Sequence, residues 1–469
     1  MLEKQIDQWI ERHQDELLRD ISLLVSIESV ASDGDADRPY GEACARALDT
    51  MLGLGEQYGF STTNVEYRCG VISYGALADR TVGIWGHVDV VPAGGNWLYP
   101  PYACTRKGDF LIGRGVQDNK GPSMAVLYAL RCIRDLQVPL NYTVKQIVGC
   151  AEEAGMDDAV YFVQHHDVPD FNLVADSGFP VCYGEKGIIE AEFRFPLQDE
   201  RIIGFQAGSV SNSVPGYAEV ILKLDRELEE KLSGLPGAIT IERTVEGVRL
   251  SARGKAGHAA FPQGTDNAIH RLLEPLLAAE LLEGVHQPQF ALMNAVCAAY
   301  DGGALQIACA DELSGPLSCV GAVASIVDGE LSFQINIRYP ITADANAMVR
   351  RMTAAAQGFV LAAVHVNEPN YCDKDAPEVQ TLNDTYNRVT KQHAEPFVMG
   401  GGTYARKIPN AVGFGPGMPA DLSALGLPAG HGSIHGPDEV QSIPNLLMAL
   451  KIYVMSLVAL NNVGGSTGK

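Results

Sequence analysis

The sequence predicts an α/β fold interrupted by an inserted α+β domain. Three observations predict it. Strand-like and helix-like segments alternate between residues 71 and 176, which indicates α/β layers. Between 186 and 376 the pattern changes to period-two stretches with two helical runs. From 377 the helical-then-strand pattern returns. The predicted division is therefore residues 1–185 for the first part of the main domain, 186–376 for the insert and 377–469 for the second part. A chain of 469 residues has ample room for two such cores.

In order, residues 2–28 carry Ile6, Trp9, Ile10, Leu17, Ile21 and Leu24 at helical spacing. Ser32, Asp33, Gly34 and Asp35 break that helix, and a second follows over 41–54. Strands are expected at 71–74, 82–85 and 111–113. A helical pattern covers 124–136, with Asp118 just ahead of it. A strand over 142–149 runs directly into Ala151, Glu152 and Glu153. A short helix at 159–164 and a strand at 171–175, ending at Asp176, complete this part. In the insert, strands are expected at 188–195, 218–224, 248–252 and 331–337, and helices at 266–282 and 346–356. Helices at 379–393 and 444–461 follow, then a tail, 464–469, whose composition predicts disorder.

Apolar content of 46 % and charged content of 20 % are those of a globular chain. The net charge of −22 argues against nucleic acid or an anionic membrane as partner, since both require basic surfaces. No apolar run is read as reaching membrane-spanning length, and the N-terminus lacks a signal-peptide layout. Ten scattered cysteines without a Cys-x-x-Cys pair read as reduced, mostly buried thiols. A cytoplasmic location is the expectation.

The stretch Ile84-Trp85-Gly86-His87-Val88-Asp89 reads as a strand end, with His87 and Asp89 on one face. A histidine beside a carboxylate suits a metal ligand held by its neighbour. Asp118, Glu152-Glu153, Asp176 and His435 add to it. Two imidazoles and three carboxylates suit one or two zinc ions, or manganese or cobalt in their place. Two metals about 3.5–4 Å apart need a bridging carboxylate. Asp118, at a strand-to-helix turn, is the candidate. Of Glu152 and Glu153, whose side chains would diverge on extended backbone, one should bind metal and the other act as general base. Singly, each residue has a plainer reading: Asp118 as a helix cap, the glutamates as a solvated pair, His435 as a loop histidine. His165 and His166 are assigned no role. At successive strand ends of an α/β sheet, where such sheets place their sites, the metal reading prevails.

These motifs carry a resemblance. Gly86-His87-Val88-Asp89-Val90-Val91-Pro92, then Gly113-Arg114-Gly115-Val116-Gln117-Asp118-Asn119-Lys120-Gly121-Pro122, then Glu152-Glu153 resemble the M20 family of metallopeptidases, and within it the bacterial PepV-type dipeptidases. Supporting runs are Ala175-Asp176-Ser177, Asn212-Ser213-Val214-Pro215, Gly257-His258-Ala259-Ala260, Asn336-Ile337-Arg338-Tyr339-Pro340, Gly400-Gly401-Gly402-Thr403-Tyr404-Ala405-Arg406 and His435-Gly436-Pro437-Asp438-Glu439. The resemblance implies a zinc-peptidase-like α/β catalytic domain with the insert as a lid. It implies that His87 and Asp176 hold one metal, that Glu153 and His435 hold the other, and that Asp118 bridges them. Asp89 would orient His87, and Glu152 would be the base acting on metal-activated water. A cis peptide is expected at Asp118-Asn119. On the lid side, Asn212 and His258 would donate to the oxyanion and Arg338 would grip the substrate carboxylate. Gly401, Thr403 and Arg406 would line the substrate, with Gly-rich backbone approaching it closely. His431 is a second, weaker candidate ligand beside His435. The activity implied is hydrolysis of short peptides, dipeptides above all, with free ends. A long insert that supplies its own His258 implies a catalytically complete monomer.

The near alternative is an N-acyl-amino-acid deacylase or desuccinylase, which shares the metal site. A nucleotide-binding oxidoreductase is suggested by Gly113-Arg114-Gly115, but the third fingerprint glycine is missing. A non-catalytic binding protein would lack the base, and Glu152 is present.

Overall fold

The computed structural model describes residues 1–75 and 79–463; the tail expected to be disordered lies outside them. By its internal contacts the chain divides into two compact units. One comprises Met1–Gly184, Asn370–Phe397 and Gly402–Lys469; the other comprises Glu185–Pro369 and Val398–Gly401.

In the first unit a mixed sheet runs in the spatial order Ser61–Val65, Cys69–Gly75, Thr143–Gly149, Thr81–His87, Phe171–Val174, Ala411–Gly413. Thr81–His87 is parallel to both its neighbours, and Ala411–Gly413 is parallel to Phe171–Val174. The two strands at the far edge are antiparallel. Thr81–His87 is buried at every residue but the first, as a central strand covered on both faces must be. Its alternation assigns the faces. Trp85 packs edge-on against Phe162 and Tyr404, with ring centroids 5.2 and 5.8 Å away. Gly86 faces the opposite way, toward the helix Lys120–Asp135: an added Cβ there would stand 2.6 Å from Asn119 Oδ1.

The helices Leu2–Val25, Lys120–Asp135 and Ile443–Ala459 pack on one another. The last corrects the sequence reading. Ile443–Asn462 spans 20 residues and is long and apolar enough to cross a membrane. It is mostly buried, against Lys120–Asp135 and the helix Pro377–Thr390, so its apolar character is that of a core helix.

The second unit is built on a sheet in the order Ile239–Arg243, Val248–Arg253, Tyr217–Leu222, Ile202–Ala207, Ser318–Val327, Glu330–Tyr339, Gly187–Pro196, Val360–Asn367. Each strand in it is antiparallel to its neighbours. Gly187–Pro196 alternates strictly, turning Ile189, Ala191, Phe193 and Phe195 into the core. The helices Ala268–Ala278, Gln287–Ala298 and Ala345–Ala355 close that core with Leu272, Phe290 and Met348. This is the α+β arrangement expected of the insert. All ten cysteines are free thiols, eight of them buried.

Candidate metal centre

The polar residues of the first unit gather just past the ends of its parallel strands. Thr81–His87 finishes at His87, so Asp89 lies beyond the strand and not on its face, contrary to the sequence reading. His87 is wholly buried. Its Nδ1 is 3.0 Å from the Asp89 carbonyl oxygen and 3.3 Å from Asp89 Oδ1. Its Nε2 points at Asp118 Oδ1, 3.0 Å away, and at Asp176 Oδ2, 3.6 Å away. Engaging one ring nitrogen in this way frees the other for a ligand.

The helix after Asp118 starts earlier than expected, at Lys120, with Asn119 in the cap position. Asp118 therefore does not cap it. Instead its Oδ1 faces His87 while Oδ2 lies 3.1 Å from His435 Nε2, so one carboxylate spans both imidazoles. The Asp118-Asn119 peptide is cis. The Asn119 carboxamide ties the neighbourhood together. Its Nδ2 donates to Ala175 O at 2.6 Å and to Asp176 Oδ1 at 2.9 Å. Its Oδ1 accepts from Ser123 Oγ at 2.9 Å and from His87 N at 3.3 Å.

Glu152 and Glu153 sit in a turn, closed by Met156 N donating to Ala151 O at 2.8 Å, so the condition of extended backbone does not hold there. Both amides donate to Asp89: Glu152 N to Oδ1 at 3.2 Å and Glu153 N to Oδ2 at 3.0 Å. Glu153 Oε1 lies 2.9 Å from His435 Nε2, while the Glu152 side chain is buried beside His87. Three overlapping groups result: His87 with Asp118 and Asp176, His87 with Glu152 and Glu153, and Asp118 with Glu153 and His435. Within each group the ligand-type atoms lie within 4.8 Å of one another.

The sequence reading missed the residues that hold these loops. Glu439 is fully buried and accepts from Gln117 N at 2.9 Å, from Asp118 N and Gly115 N at 3.1 Å, and from Arg114 Nη1 at 2.7 Å. Arg114 Nη2 in turn donates to His435 O at 3.2 Å. Asp438 Oδ1 accepts from Leu98 N and Tyr99 N at 3.0 and 2.9 Å. Its Oδ2 lies 2.6 Å from His431 Nδ1, which engages His431 in the loop and apart from the three groups. Asp438 and Glu439 were visible in the run after His435, but only their backbone partners reveal their task.

Electrostatics fit a cation. Burial, with Asp176 close by, raises the Glu152 carboxyl well above its usual range. Burial pushes Glu153 up to about 7 against the pull of His435, and burial with the Asp118 charge raises Asp176. Burial acts on Asp118 too, yet hydrogen bonds from His435 and His87 hold it low. Hydrogen bonds to Asp118 and Glu153 lift His435 to about 10. Buried carboxylates crowded around two imidazoles relieve their mutual repulsion by sharing a positive charge. The oxygen and imidazole-nitrogen donors suit divalent zinc, manganese or cobalt.

In the second unit, the short ladder of Ser213–Val214 with Gly257–His258 pairs Ser213 with His258. Ala259 N donates to Asn212 O at 2.8 Å, so Asn212 and His258 come together. Arg338 is buried opposite Ser318, whose hydroxyl donates to Ala259 O at 3.2 Å. The guanidinium is held in plane by Nε donating to Asn336 Oδ1 at 2.8 Å and Nη1 donating to Gly400 O at 3.0 Å. Gly401 follows in that unit. Thr403 and Arg406 belong to the first unit, where the Thr403 hydroxyl caps the turn Tyr404–Lys407.

Residues 83–458 match the profile described as Peptidase family M20/M25/M40. A Bacillus subtilis (strain 168) protein named "Putative dipeptidase YtjP" is 31% identical over 465 residues, covering 96% of this chain and 98% of that protein. Human carnosine dipeptidase 1 superposes with a TM-score of 0.58 at 16% identity, covering 98% of this chain and 99% of the other. The Saccharomyces cerevisiae di-peptidase Dug1p gives a TM-score of 0.59 at 12% identity, covering 98% of both chains. At these identities the two structures bear on the fold, which is the same α/β architecture. The profile match and the full-length relative settle the rest: the chain belongs to peptidase family M20/M25/M40.

Proposed function

We propose that this member of the peptidase family is a two-metal dipeptidase, cleaving short peptides with free ends. The observation that carries the reading is Asp118, whose two carboxylate oxygens face His87 and His435 separately. His87 and Asp176 would hold one ion, Glu153 and His435 the other, with Asp118 between them. Zinc is the first candidate, and manganese or cobalt would serve in its place. When bound, the ions would polarise the scissile carbonyl and acidify an attacking water.

The chain's own residues do the rest. Glu152, buried with a raised carboxyl pKa, takes the water's proton and returns it to the departing amine. Asp89 orients His87 and fixes the turn that carries Glu152. From the insert, acting as a lid, Asn212 and His258 are assigned to the oxyanion and Arg338 to the peptide's terminal carboxylate. Gly401, Thr403 and Arg406 are assigned to substrate contact. The relative named as a dipeptidase supports the substrate class, and the ten free thiols suit a reducing, cytoplasmic setting.

Metal analysis beside a substrate panel tests the reading. Two ions per chain are expected, with loss of activity on chelation and recovery with zinc, cobalt or manganese. Dipeptides should be hydrolysed and N-acetyl amino acids should not. Full activity with one ion or none would defeat the two-metal assignment, and a preference for N-acyl amino acids would replace dipeptidase with deacylase.

A further inference from the structure

Four consecutive amides, Cys150, Ala151, Glu152 and Glu153, all donate to buried carboxylates. Asp89 takes the last two. The first two go to a single oxygen, Asp158 Oδ2, at 2.7 and 2.8 Å. That same oxygen accepts the Tyr404 hydroxyl at 2.5 Å. Asp158 and Tyr404 are both fully buried, and neither is in the three ligand-type groups. Asp158 reaches back from the helix Asp157–His165 to the turn just before it. Tyr404 arrives from a segment about 250 residues further on and lies edge-to-face with His87, ring centroids 6.3 Å apart.

The strand end is shaped for this pair. A Cβ on Gly149 would collide with both the Tyr404 hydroxyl and Asp158 Oδ2, so only glycine admits them there. A buried amide needs a partner, but water or a peptide carbonyl would satisfy it equally well. One carboxylate oxygen held by three donors instead defines the position of the turn closely, because charge-assisted bonds are short and strong.

We propose that Asp158 and Tyr404 are positioning residues for Glu152: the Tyr404–Asp158 pair fixes amides 150 and 151 and thereby sets where the base's carboxylate stands. Tyr404 follows Thr403 directly, so the same side chain couples the segment assigned to substrate contact to the turn that carries the base. The inference rests on Glu152 being the base.

Tyr404→Phe removes one hydroxyl and keeps the ring. In the metal-loaded enzyme it should lower kcat by about 10–100-fold, the scale of a small misplacement of a reacting group, while KM and metal content stay near wild type. Amide hydrogen exchange in the peptide spanning 150–153 should quicken. Asp158→Asn should lose more, and if it fails to fold, Tyr404→Phe still decides. The discriminating measurement is Tyr404→Phe in a Glu152→Gln background. A residue acting through Glu152 has nothing left to position, so the second substitution should cost less than about twofold. An equal loss of kcat in both backgrounds, or loss of a metal ion, overturns the positioning role while leaving the base assignment standing. A Glu152→Gln enzyme with undiminished kcat overturns the base assignment and the inference with it.

Discussion

Glu152 and Glu153 are adjacent in the chain and held by the same Asp89, yet their carboxylates meet different neighbours. Glu153 lies against the His435 ring, whereas Glu152 is sealed beside His87. The two should therefore fail differently. Glu152→Gln keeps the shape and removes the proton acceptor, so kcat should fall by roughly 10²–10⁴-fold or more with KM little changed and both metals retained. Glu153→Gln should release or weaken one ion. Metal content measured beside kcat for both variants checks this, and the opposite pattern would mean that base and ligand are exchanged. At this scale the ligand-type residues were legible, because histidines and carboxylates at successive strand ends form a recognisable pattern. Asn119, Asp158 and Glu439 were not. Each acts largely through hydrogen bonds to backbone amides or carbonyls, and a backbone group leaves no mark in the sequence of side chains. The turn at 152–153 left no mark for the same reason: it is made by Asp89 and by main-chain bonds.

Among the elements, Thr81–His87 is closely packed along its length. Gly86 passes within reach of Asn119, whose carboxamide connects His87, Ser123, Ala175 and Asp176. Gly86→Ala must displace both the Ser123 hydroxyl and that carboxamide. It should destabilise the fold by about 1–3 kcal/mol, as overpacking does, and lower metal affinity as well. Denaturant midpoints with and without chelator separate the two effects, and an unchanged midpoint together with unchanged metal affinity would contradict the packing argument. Thr81–His87 and Phe171–Val174 were legible because strands buried on both faces read as continuous apolar runs, whereas Ala411–Gly413, three residues long, was not. In the insert's sheet, Ile202–Ala207, Ile239–Arg243, Ser318–Val327 and Val360–Asn367 were missed. Val360–Asn367 is an exposed edge strand, so its side chains carry no clean inward–outward alternation to read. The helix Ile443–Ala459 was expected at 444–461, but its apolar length was not read: it packs mainly on other helices, so it is apolar on most sides.

For the molecule as a whole, the question is whether one chain suffices for catalysis. An insert of this size, with its own sheet and core, is proposed to bring His258 to the site of the same chain. Mixing His258→Ala chains with Glu152→Ala chains should then restore no activity, since every chain lacks one of the two. Recovered turnover in the mixture would show the histidine acting across subunits. The second unit ends at Pro369 rather than at the expected 376, and it takes in Val398–Gly401, four residues too few for any periodicity to register.

The order of the chain has a consequence for its synthesis. The parallel edge of Phe171–Val174 is completed by Ala411–Gly413, and His435, Asp438 and Glu439 come later still. Between them the ribosome must make the whole insert, which takes on the order of tens of seconds at roughly 5–20 residues per second. During that interval the insert is one continuous stretch with a core of its own, while the nascent first unit has an uncovered sheet edge and only part of its proposed ligand set. Chaperone demand should therefore peak while the insert is being made, and hydrolytic competence should arrive only once His435 and Glu439 have emerged.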